Sequence, residues 1–332
     1  MTAVQDSSVQ PVARSLREGT GGLYSQTWFP VATSADVAPG QVISREVLDG
    51  RVAVFRGQNG VASVVSSYCP HMGADLTVGQ VVDNCLRCPF HHWQYDQSGK
   101  CVRTGSGDPV PRRADLFHYP TAEKYGLIWA FNGEKPLFDI PGFDIPDEEL
   151  VFHPVKVMDV RCEPWEFMCN TLDFQHIRVV HGVTMAHDDP DEHIEWGQFN
   201  VFYDLRGTIQ DLPLAYRLGI VGSNIFVQQG PLNGRWLGFL YPCTLTRSGH
   251  LTSYFIIATT KGDGSEAGDK AAQEYLAWAM GFETDVVMQD VPILSTMRFS
   301  PEKLTRSDRA LARFLRYLKE LPRANPAAAH PR

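Results

Sequence analysis

The chain has 332 residues, of which 43% are hydrophobic, 11% aromatic and 20% charged. This is the composition of an ordinary globular protein, long enough for two domains with sizeable cores. A formal net charge of -8 without a block of lysine and arginine argues against nucleic acid and anionic membranes as partners, and favours a small organic substrate or a protein partner.

The sequence shows neither a membrane span nor an export signal. No apolar run approaches the roughly 20 residues that a membrane span needs, and the N-terminus lacks a basic region followed by an apolar core. Seven cysteines, an odd number, argue against a disulfide framework. We therefore expect a soluble, cytoplasmic protein.

The first part of the chain is predicted to be a flexible arm followed by a small antiparallel β domain. Residues 1–23 mix Ser, Gln, Pro and Gly without periodicity, which is typical of a mobile arm. Short apolar or alternating segments within residues 24–135 predict strands. These strands are expected at residues 28–32, 42–47, 52–55, 61–65, 99–102 and 125–131.

The second part is predicted to be a linker, a larger α+β domain at residues 155–322 and a tail at 323–332. The linker, residues 136–154, contains four prolines. Helices are expected at residues 165–176, from an N-cap at Asp269 to Asp290, and at 307–318. A polar, acidic stretch is expected at residues 188–192, and strands at 155–162, 199–209, 224–229, 236–245 and 251–260.

Two short motifs in the first domain carry its chemistry. Sixteen residues separate His71 of Cys69-Pro70-His71 from Cys88, and His91 lies three residues further on. Two thiolates and two imidazoles are the ligands of a [2Fe-2S] cluster in which sulfur holds one iron and nitrogen holds the other. Pro70 and Pro89 restrict the backbone of the two loops. The motifs therefore predict a Rieske-type cluster.

Zinc offers two other interpretations of the same cysteines. One zinc ion with two cysteines and two histidines would use the same four side chains. Cys85 and Cys88 also form a Cys-x-x-Cys pair, which is a redox or zinc motif elsewhere. The chain has no second pair of this kind, so we expect Cys85 to be a neighbour of the cluster and not a ligand.

The metal motifs resemble those of a known enzyme family. Residues 69–76, Cys-Pro-His-Met-Gly-Ala-Asp-Leu, and 88–96, Cys-Pro-Phe-His-His-Trp-Gln-Tyr-Asp, resemble the N-terminal domain of Rieske non-heme iron oxygenases. Met72 stands where many members have arginine, and His92 stands where the family usually has glycine. The role of His92 is left open by the sequence.

An oxygenase of this family would also need a mononuclear iron site with two histidines and a carboxylate. Asn170, Asp173 and His176 recur every three residues, which predicts one inward stripe on a helix. His181 lies about 140° around an unbroken helix from His176, so the helix is expected to bend or end between them, with help from Gly182.

The resemblance implies roles for these residues. It assigns His176 and His181 to iron, and it implies that Asp173 bridges electron transfer between subunits of a homotrimer. Asp173 would accept hydrogen bonds from His91 of a neighbouring subunit and from His176 of its own chain.

The carboxylate ligand is expected on the helix after Asp269. Asp285 and Asp290 are the candidates, and one helix face cannot present both because they lie about 140° apart. We favour Asp290, which the helical spacing places with Phe282, Val286 and Ile293. The segment at 289–294 also resembles the acidic segment of the steroid-hydroxylating branch of the family.

The resemblance implies a terminal oxygenase that takes electrons from a ferredoxin or an NAD(P)H-dependent reductase and uses O2 with mononuclear Fe(II). No dinucleotide-binding motif is present in the sequence, which agrees with a separate reductase. The resemblance favours hydroxylation or oxidative demethylation of a small apolar substrate, with ring dihydroxylation as the alternative.

A non-catalytic Rieske electron carrier and a zinc-stapled binding protein are the other classes of function that the sequence leaves open. Candidates for the substrate pocket are Phe202, Trp236, Phe239 and Trp278.

Overall fold

The computed structural model describes residues 16–186, 190–299 and 303–330. Most of the predicted N-terminal arm therefore lies outside the described residues, and so do Asp188 and Asp189 of the predicted acidic stretch. No helix in the described ranges is both long and apolar enough to cross a bilayer.

The first β region is built from short strands joined by tight turns. Its strands are β1 (Tyr24–Ser25), β2 (Trp28–Thr33), β3 (Val42–Val47), β4 (Gly50–Arg56), β5 (Ala62–Ser66), β6 (Gln80–Val82), β7 (Cys85–Arg87), β8 (Gln94–Tyr95), β9 (Cys101–Arg103), β10 (His118–Tyr119), β11 (Thr121–Lys124) and β12 (Leu127–Phe131). They pair in the orders β10-β5-β4-β3, β11-β12-β2 and β6-β7-β8-β9. A core with Phe29, Val54 and Ile128 includes side chains from the first two sheets. The third sheet carries the loops that contain the cysteines and histidines.

The second region is dominated by one large sheet. Its strands are β13 (Leu150–Phe152), β14 (Lys156–Val160), β15 (Thr184–Met185), β16 (Glu195–Trp196), β17 (Asn200–Ile209), β18 (Leu212–Val221), β19 (Ile225–Leu232), β20 (Arg235–Arg247), β21 (His250–Thr260) and β22 (Arg323–Ala324). The central order is β13-β21-β20-β19-β18-β17-β15, with β14 also on β21 and β16 also on β17. All strand pairs within the described ranges are antiparallel.

Helices cover one face of the large sheet. They are α1 (Pro164–Cys169), α2 (Phe174–Val179), α3 (Glu266–Leu294) and α4 (Arg309–Glu320). Short 3-10 helices occur at Thr20–Gly22, Ser34–Asp36, Leu76–Val78, Asp147–Glu149, Asn170–Leu172, Pro190–His193, Arg306–Asp308 and Pro326–Ala329. Apolar side chains of all four α-helices share one core with the inner face of the sheet. This arrangement confirms the predicted α+β class, a small antiparallel β region followed by helices on an antiparallel sheet.

The helix predicted at residues 165–176 is wrong in its continuity. The chain forms α1, a 3-10 turn at Asn170–Leu172 and then α2, and Asp173 has φ -94° and ψ 86° at the junction. The Asp173 carboxylate accepts a hydrogen bond from the backbone N–H of His176, so this side chain starts a new helix. The predicted helical stripe of Asn170, Asp173 and His176 therefore does not exist as such.

Two other elements differ from the prediction. The N-cap of α3 is Ser265, whose side chain accepts from the Gly268 N–H, and not Asp269. Strand β18 was not predicted, although apolar residues occupy every second position from Leu212 to Ile220. Pro213 and Gly219, which are disfavoured within strands, obscure this alternation. It forms because β17 and β19 pair with it on both sides. The predicted end of α2 before His181 is confirmed by the structure, and Gly182 has φ +66° there.

The predicted linker and tail both contain strands. In the range 136–154, β13 pairs with β21 of the large sheet. In the range 323–332, β22 pairs with β1, so the two ends of the described chain meet. A further core cluster joins Trp28 and Trp129 of the first region to Ile225 and Leu240 of the second.

Candidate functional site

The two cysteine loops of the first region are built alike. The backbone N–H of Cys69 donates to the carbonyl of Ala74 (2.9 Å), and that of Cys88 donates to the carbonyl of Trp93 (2.8 Å). The fourth residue after each cysteine has positive φ: Gly73 at +74° and His92 at +58°. His92 therefore occupies the left-handed position for which glycine is the usual choice, and its exposed ring is free to point to solvent.

The cysteines lie inside and the histidines outside. Cys69 and Cys88 are 1% exposed, and the Cys69 sulfur lies 3.0 Å from the Tyr95 hydroxyl. The rings of His71 and His91 are neighbours, with centroids 4.6 Å apart. His71 also stacks on Trp93 at 4.5 Å, nearly parallel. The structure thus places a buried sulfur pair behind a more accessible nitrogen pair.

Cys69 and Cys88 share one hydrogen bond that favours a thiolate on Cys88. The pKa of Cys88 is lowered because it accepts hydrogen bonds from Cys69 and from the backbone N–H groups of Phe90 and His91. The pKa of Cys69 is raised by its hydrogen bond to Cys88 and by burial. Hydrogen bonds to a charged sulfur are what a cluster ligand needs.

The spacing of these donors suits a cluster better than one ion. The four donors of a tetrahedral zinc ion lie about 3.3–3.8 Å from one another, given bonds of about 2.0–2.3 Å. Among the described residues, the one group of three or more such donor atoms within 4.8 Å of one another is His176, His181 and Asp290, in the second region. Cys69, Cys88, His71 and His91 therefore form two pairs, as a two-iron centre requires.

That other group of donors lies in the second region. His176 on α2, His181 just beyond its end and Asp290 on α3 bring three ligand atoms within 4.8 Å of one another. The Nε2 atoms of the two histidines are 2.9 Å apart, and each lies 3.3 Å from Oδ1 of Asp290. Asp285, the other carboxylate candidate, is exposed on the opposite side of α3.

The Asp290 carboxylate presents one oxygen to both histidines. Its Oδ2 accepts a hydrogen bond from Nδ2 of Asn170 (3.0 Å). Its Oδ1 is buried, and the polar neighbours that the structure records for it are the two imidazole Nε2 atoms, each 3.3 Å away. Two imidazoles and one carboxylate on one side of an ion form the ligand set of non-heme iron(II) sites.

Neighbouring groups orient the histidines for this task. Nδ1 of His181 lies 2.8 Å from Oε1 of Gln289, which can only accept, so Nδ1 carries the proton and Nε2 keeps its lone pair. Burial lowers the pKa of His176, which favours its neutral form. Burial opposes protonation of His181 as well, but hydrogen bonding and charge from Asp290 raise its pKa. Gln289 was missed as an orienting residue, since its sequence neighbours carry no signal for that role.

Asp173 lies beside the site and does not enter it. Its Oδ1 accepts from the backbone N–H of His176 at 2.9 Å, so its contact with His176 in this chain is through the backbone. The side chain is partly exposed.

A mostly apolar cavity adjoins the three ligands, with an empty volume of about 740 Å³ that is partly open to solvent. Phe239 of the predicted pocket residues lines it, but Phe202, Trp236 and Trp278 do not. Phe202 packs in the cluster on the other face of the sheet, and Trp236 packs against Phe143. The predicted helix face is also wrong in part: Glu283, Val287 and Asp290 are buried, whereas Ile293 is exposed.

Residues 27–115 match the family model of the Rieske [2Fe-2S] domain. Half of the chain is 32% identical over 170 residues to cholesterol 7-desaturase nvd of Bombyx mori. A 151-residue segment, 42% of the chain, is 34% identical to aminopyrrolnitrin oxygenase PrnD of Pseudomonas fluorescens. The chain spans only 37% and 41% of the lengths of these two relatives.

Solved structures match over most of the chain. NdmA of Pseudomonas putida CBB5 with caffeine superposes with a TM-score of 0.66 and 18% identity, covering 89% of each chain. Dicamba monooxygenase bound to dicamba superposes with a TM-score of 0.65 and 19% identity, covering 89% of this chain and 97% of the other. At this level of identity the matches establish a shared fold.

Proposed function

We propose that this chain, which carries a Rieske [2Fe-2S] domain and shares the fold of NdmA and dicamba monooxygenase, is the terminal oxygenase component of a Rieske non-heme iron oxygenase system. It uses O2 and electrons from a ferredoxin or an NAD(P)H-dependent reductase to hydroxylate or oxidatively demethylate a small apolar molecule.

The convergence of His176, His181 and Asp290 carries this proposal. A protein that only transfers electrons has no use for a second set of ligands beside an apolar cavity. The buried Oδ1 of Asp290, which faces two imidazole Nε2 atoms at 3.3 Å, supports a bound cation, since a buried carboxylate oxygen costs free energy unless a cation or a good donor binds it. Iron(II) held there supplies the oxygen chemistry that amino-acid side chains lack.

The protein's own groups hold and shield that ion. Asn170 and Gln289 fix the orientation of Asp290 and His181 through hydrogen bonds. The apolar side chains of the cavity, such as Phe239 and Leu218, give a bound substrate an apolar surface beside that ion. Fixed ligands beside an apolar pocket are what oxygen insertion into an unreactive C–H bond requires.

We further propose that the working form is a homotrimer, in which the cluster of one subunit serves the iron of the next through Asp173. Apolar side chains are exposed beside the cluster histidines, at Met72 and Phe90, and beside the iron ligands, at Val179. Burying these two patches against each other would remove both from water and bring His91 to the partly exposed Asp173.

Every cysteine of the chain is free, which suits a reducing compartment such as the cytoplasm.

Turnover of defined compounds tests the oxygenase proposal. The holoprotein is supplied with a reductase, a ferredoxin and NADH, and is incubated with steroids, aromatics, and N-methyl and O-methyl compounds. We expect an oxygen-dependent hydroxylated or demethylated product from one class. The absence of product from every class, with cluster and mononuclear iron both at full occupancy, would contradict the proposal; a cis-diol would assign the enzyme to ring dihydroxylation instead.

A further inference from the structure

A buried acid in the cavity wall plays no part in holding iron. Glu283 lies on α3 and is 3% exposed, and it lines the cavity together with Gln228 and Tyr216. The other lining residues are mostly apolar, and none of those described is lysine or arginine. Burying a carboxyl group without a cationic partner costs free energy, so its presence in a mostly apolar cavity suggests that it has a function there.

Strand register brings the polar groups of the sheet to the same wall. Gln228 on β19 lies opposite Leu218 on β18, and Tyr216 is two residues from Leu218, so Gln228 and Tyr216 project from the same face of the sheet. Tyr216 lies opposite Leu205 of β17, which also lines the cavity. The sheet therefore presents two polar side chains toward α3 at neighbouring positions.

Glu283 is held by one of these groups and has capacity left for another. Nε2 of Gln228 donates to its Oε1 at 2.7 Å. The bond from Gln228 uses Oε1 of Glu283 and not Oε2. Among the described residues, the buried hydroxyl of Tyr216 has no hydrogen-bond partner. Burial raises the pKa of Glu283 to about 7, so both its neutral and its charged form are accessible near neutral pH. In both forms the carboxyl group can accept a hydrogen bond.

The position of Glu283 relative to the iron ligands sets a distance. Glu283 and Asp290 are seven residues apart on α3, which places them on one face of the helix about 10 Å apart along its axis. A molecule that hydrogen-bonds to Glu283 and presents a carbon to the iron ligands therefore carries its polar group less than about 10 Å from that carbon, because the hydrogen bond and the gap to the ligands each take up part of this separation. Two linked six-membered rings with the polar group at one end fall within this limit.

We infer that Glu283, positioned by Gln228, is the residue that selects the substrate: an apolar molecule carrying a hydroxyl or amino group less than about 10 Å from the carbon that reacts. The same carboxyl group, with no lysine or arginine in the described wall to offset it, rejects molecules that carry a carboxylate at that position. This inference rests on the proposed oxygenase function, since the cavity is taken to be its substrate pocket.

Equilibrium binding of four matched biphenyls tests this selection. The probes are 4-hydroxybiphenyl, 4-aminobiphenyl, 4-methylbiphenyl and biphenyl-4-carboxylate, titrated calorimetrically into the holoprotein without reductant or oxygen. We expect the hydroxyl and amino compounds to bind at least about tenfold more tightly than the methyl compound, which offers no hydrogen bond. The carboxylate is expected to bind most weakly.

Two variants of the same position separate charge from hydrogen bonding. Glu283→Gln keeps an acceptor without the charge, so the carboxylate should gain affinity while the hydroxyl compound keeps most of its own. Glu283→Leu should abolish the preference for hydroxyl over methyl. Asp285→Asn, on the exposed side of the same helix, is the control and should leave all four affinities unchanged. Visible absorption and melting temperature show whether each variant folds.

Three results would overturn the inference. They are equal affinity for the hydroxyl and methyl compounds, a carboxylate that binds the wild-type protein as tightly as the hydroxyl compound, and failure of all four probes to bind. None of these results bears on the oxygenase proposal, because the assay involves no turnover. That proposal instead fails if the holoprotein turns over no compound in the presence of electrons and O2.

Discussion

Single side chains decide whether the second metal site can form, and Asp290 is the one that completes it. His176 and His181 lie five residues apart on the chain, whereas Asp290 lies on α3, more than a hundred residues later. Its Oδ1 faces both Nε2 atoms without another partner. The site therefore depends on one carboxylate that no other described residue can replace.

Asp290→Asn should remove the mononuclear iron and leave the cluster intact. An amide is a poor ligand, so product formation is expected to fall more than about 100-fold, the upper end of what even an outer neighbour of a metal costs. Iron analysis and visible absorption on the same sample separate the two centres. Asp285→Asn is the matched control and should retain all iron. Full mononuclear iron in Asp290→Asn would show that another group supplies the third ligand.

The positive φ of His92 leads to a prediction about backbone strain. Its φ of +58° is the conformation that Gly73 adopts in the sister loop. His92→Val should destabilise the first β region by about 1–2 kcal/mol, because a β-branched residue is strained there, while His92→Gly should cost nothing or stabilise it. Thermal loss of the cluster absorption measures both. Equal melting temperatures for the two variants would mean that the loop adopts another conformation.

At the scale of elements, α3 performs two tasks with one face. Asp290 reaches the histidines, and two turns earlier Glu283 enters the apolar cavity. The titratable groups whose charge acts on or responds to Glu283 are His181, Tyr216 and Tyr275. Its buried position should make the stability of this region depend on pH.

The sign of that dependence follows from the raised pKa of Glu283, about 7 against 4.5 for an unperturbed glutamate. Below about pH 4.5 both states hold the proton; as pH rises toward 7 the unfolded chain releases it first, so the wild-type protein loses stability through this range. The loss should amount to at most about 3 kcal/mol relative to Glu283→Gln. Melting temperatures of both proteins from pH 4.5 to 8 measure it, and parallel curves would contradict the assignment.

The elements also show what sequence could and could not predict. The Rieske domain was predictable because each of its two motifs is local, with its cysteine and histidine within a few residues, and the assignment of the four ligands stays a prediction. The break between α1 and α2 was not, because the Asp173 side chain competes with helical continuation and nothing in a three-residue spacing reveals which wins. Strand β18 was missed although its partners are the neighbouring strands, since Pro213 and Gly219 obscure its alternation. The polar wall was missed because Glu283, which Gln228 contacts, lies 55 residues further along the chain.

At the scale of the whole molecule, Asn224 joins the two regions. It is fully buried, accepts from the Thr27 hydroxyl at 2.8 Å and donates to the carbonyls of Trp28 (3.0 Å) and Cys243 (2.8 Å). Thr27 and Trp28 belong to the first region and Cys243 to the large sheet. The arrangement of the cluster relative to the second region thus depends on one side chain as well as on the apolar cluster around it.

Asn224→Ala should destabilise the protein by about 3 kcal/mol, since three buried groups lose their hydrogen bonds to this side chain. Thr27→Val removes one of these bonds at nearly constant volume and should cost about 1 kcal/mol. Denaturant unfolding followed by cluster absorption and by tryptophan fluorescence measures both. Wild-type midpoints for Asn224→Ala would show that the two regions are held together by other contacts.

Electron delivery to the iron site through Asp173 is the central claim at this scale. The direct measurement is a single turnover: the cluster is reduced chemically, the reductant is removed, and oxidation of the cluster and formation of product are followed after addition of O2 and substrate. Asp173→Asn keeps a side chain that can cap α2 but removes the charge, and Asp173→Ala removes both. We predict that the wild-type cluster is oxidised as product forms, whereas in both variants the cluster is reduced normally but yields no product. Wild-type product yield in Asp173→Asn and Asp173→Ala would contradict the claim.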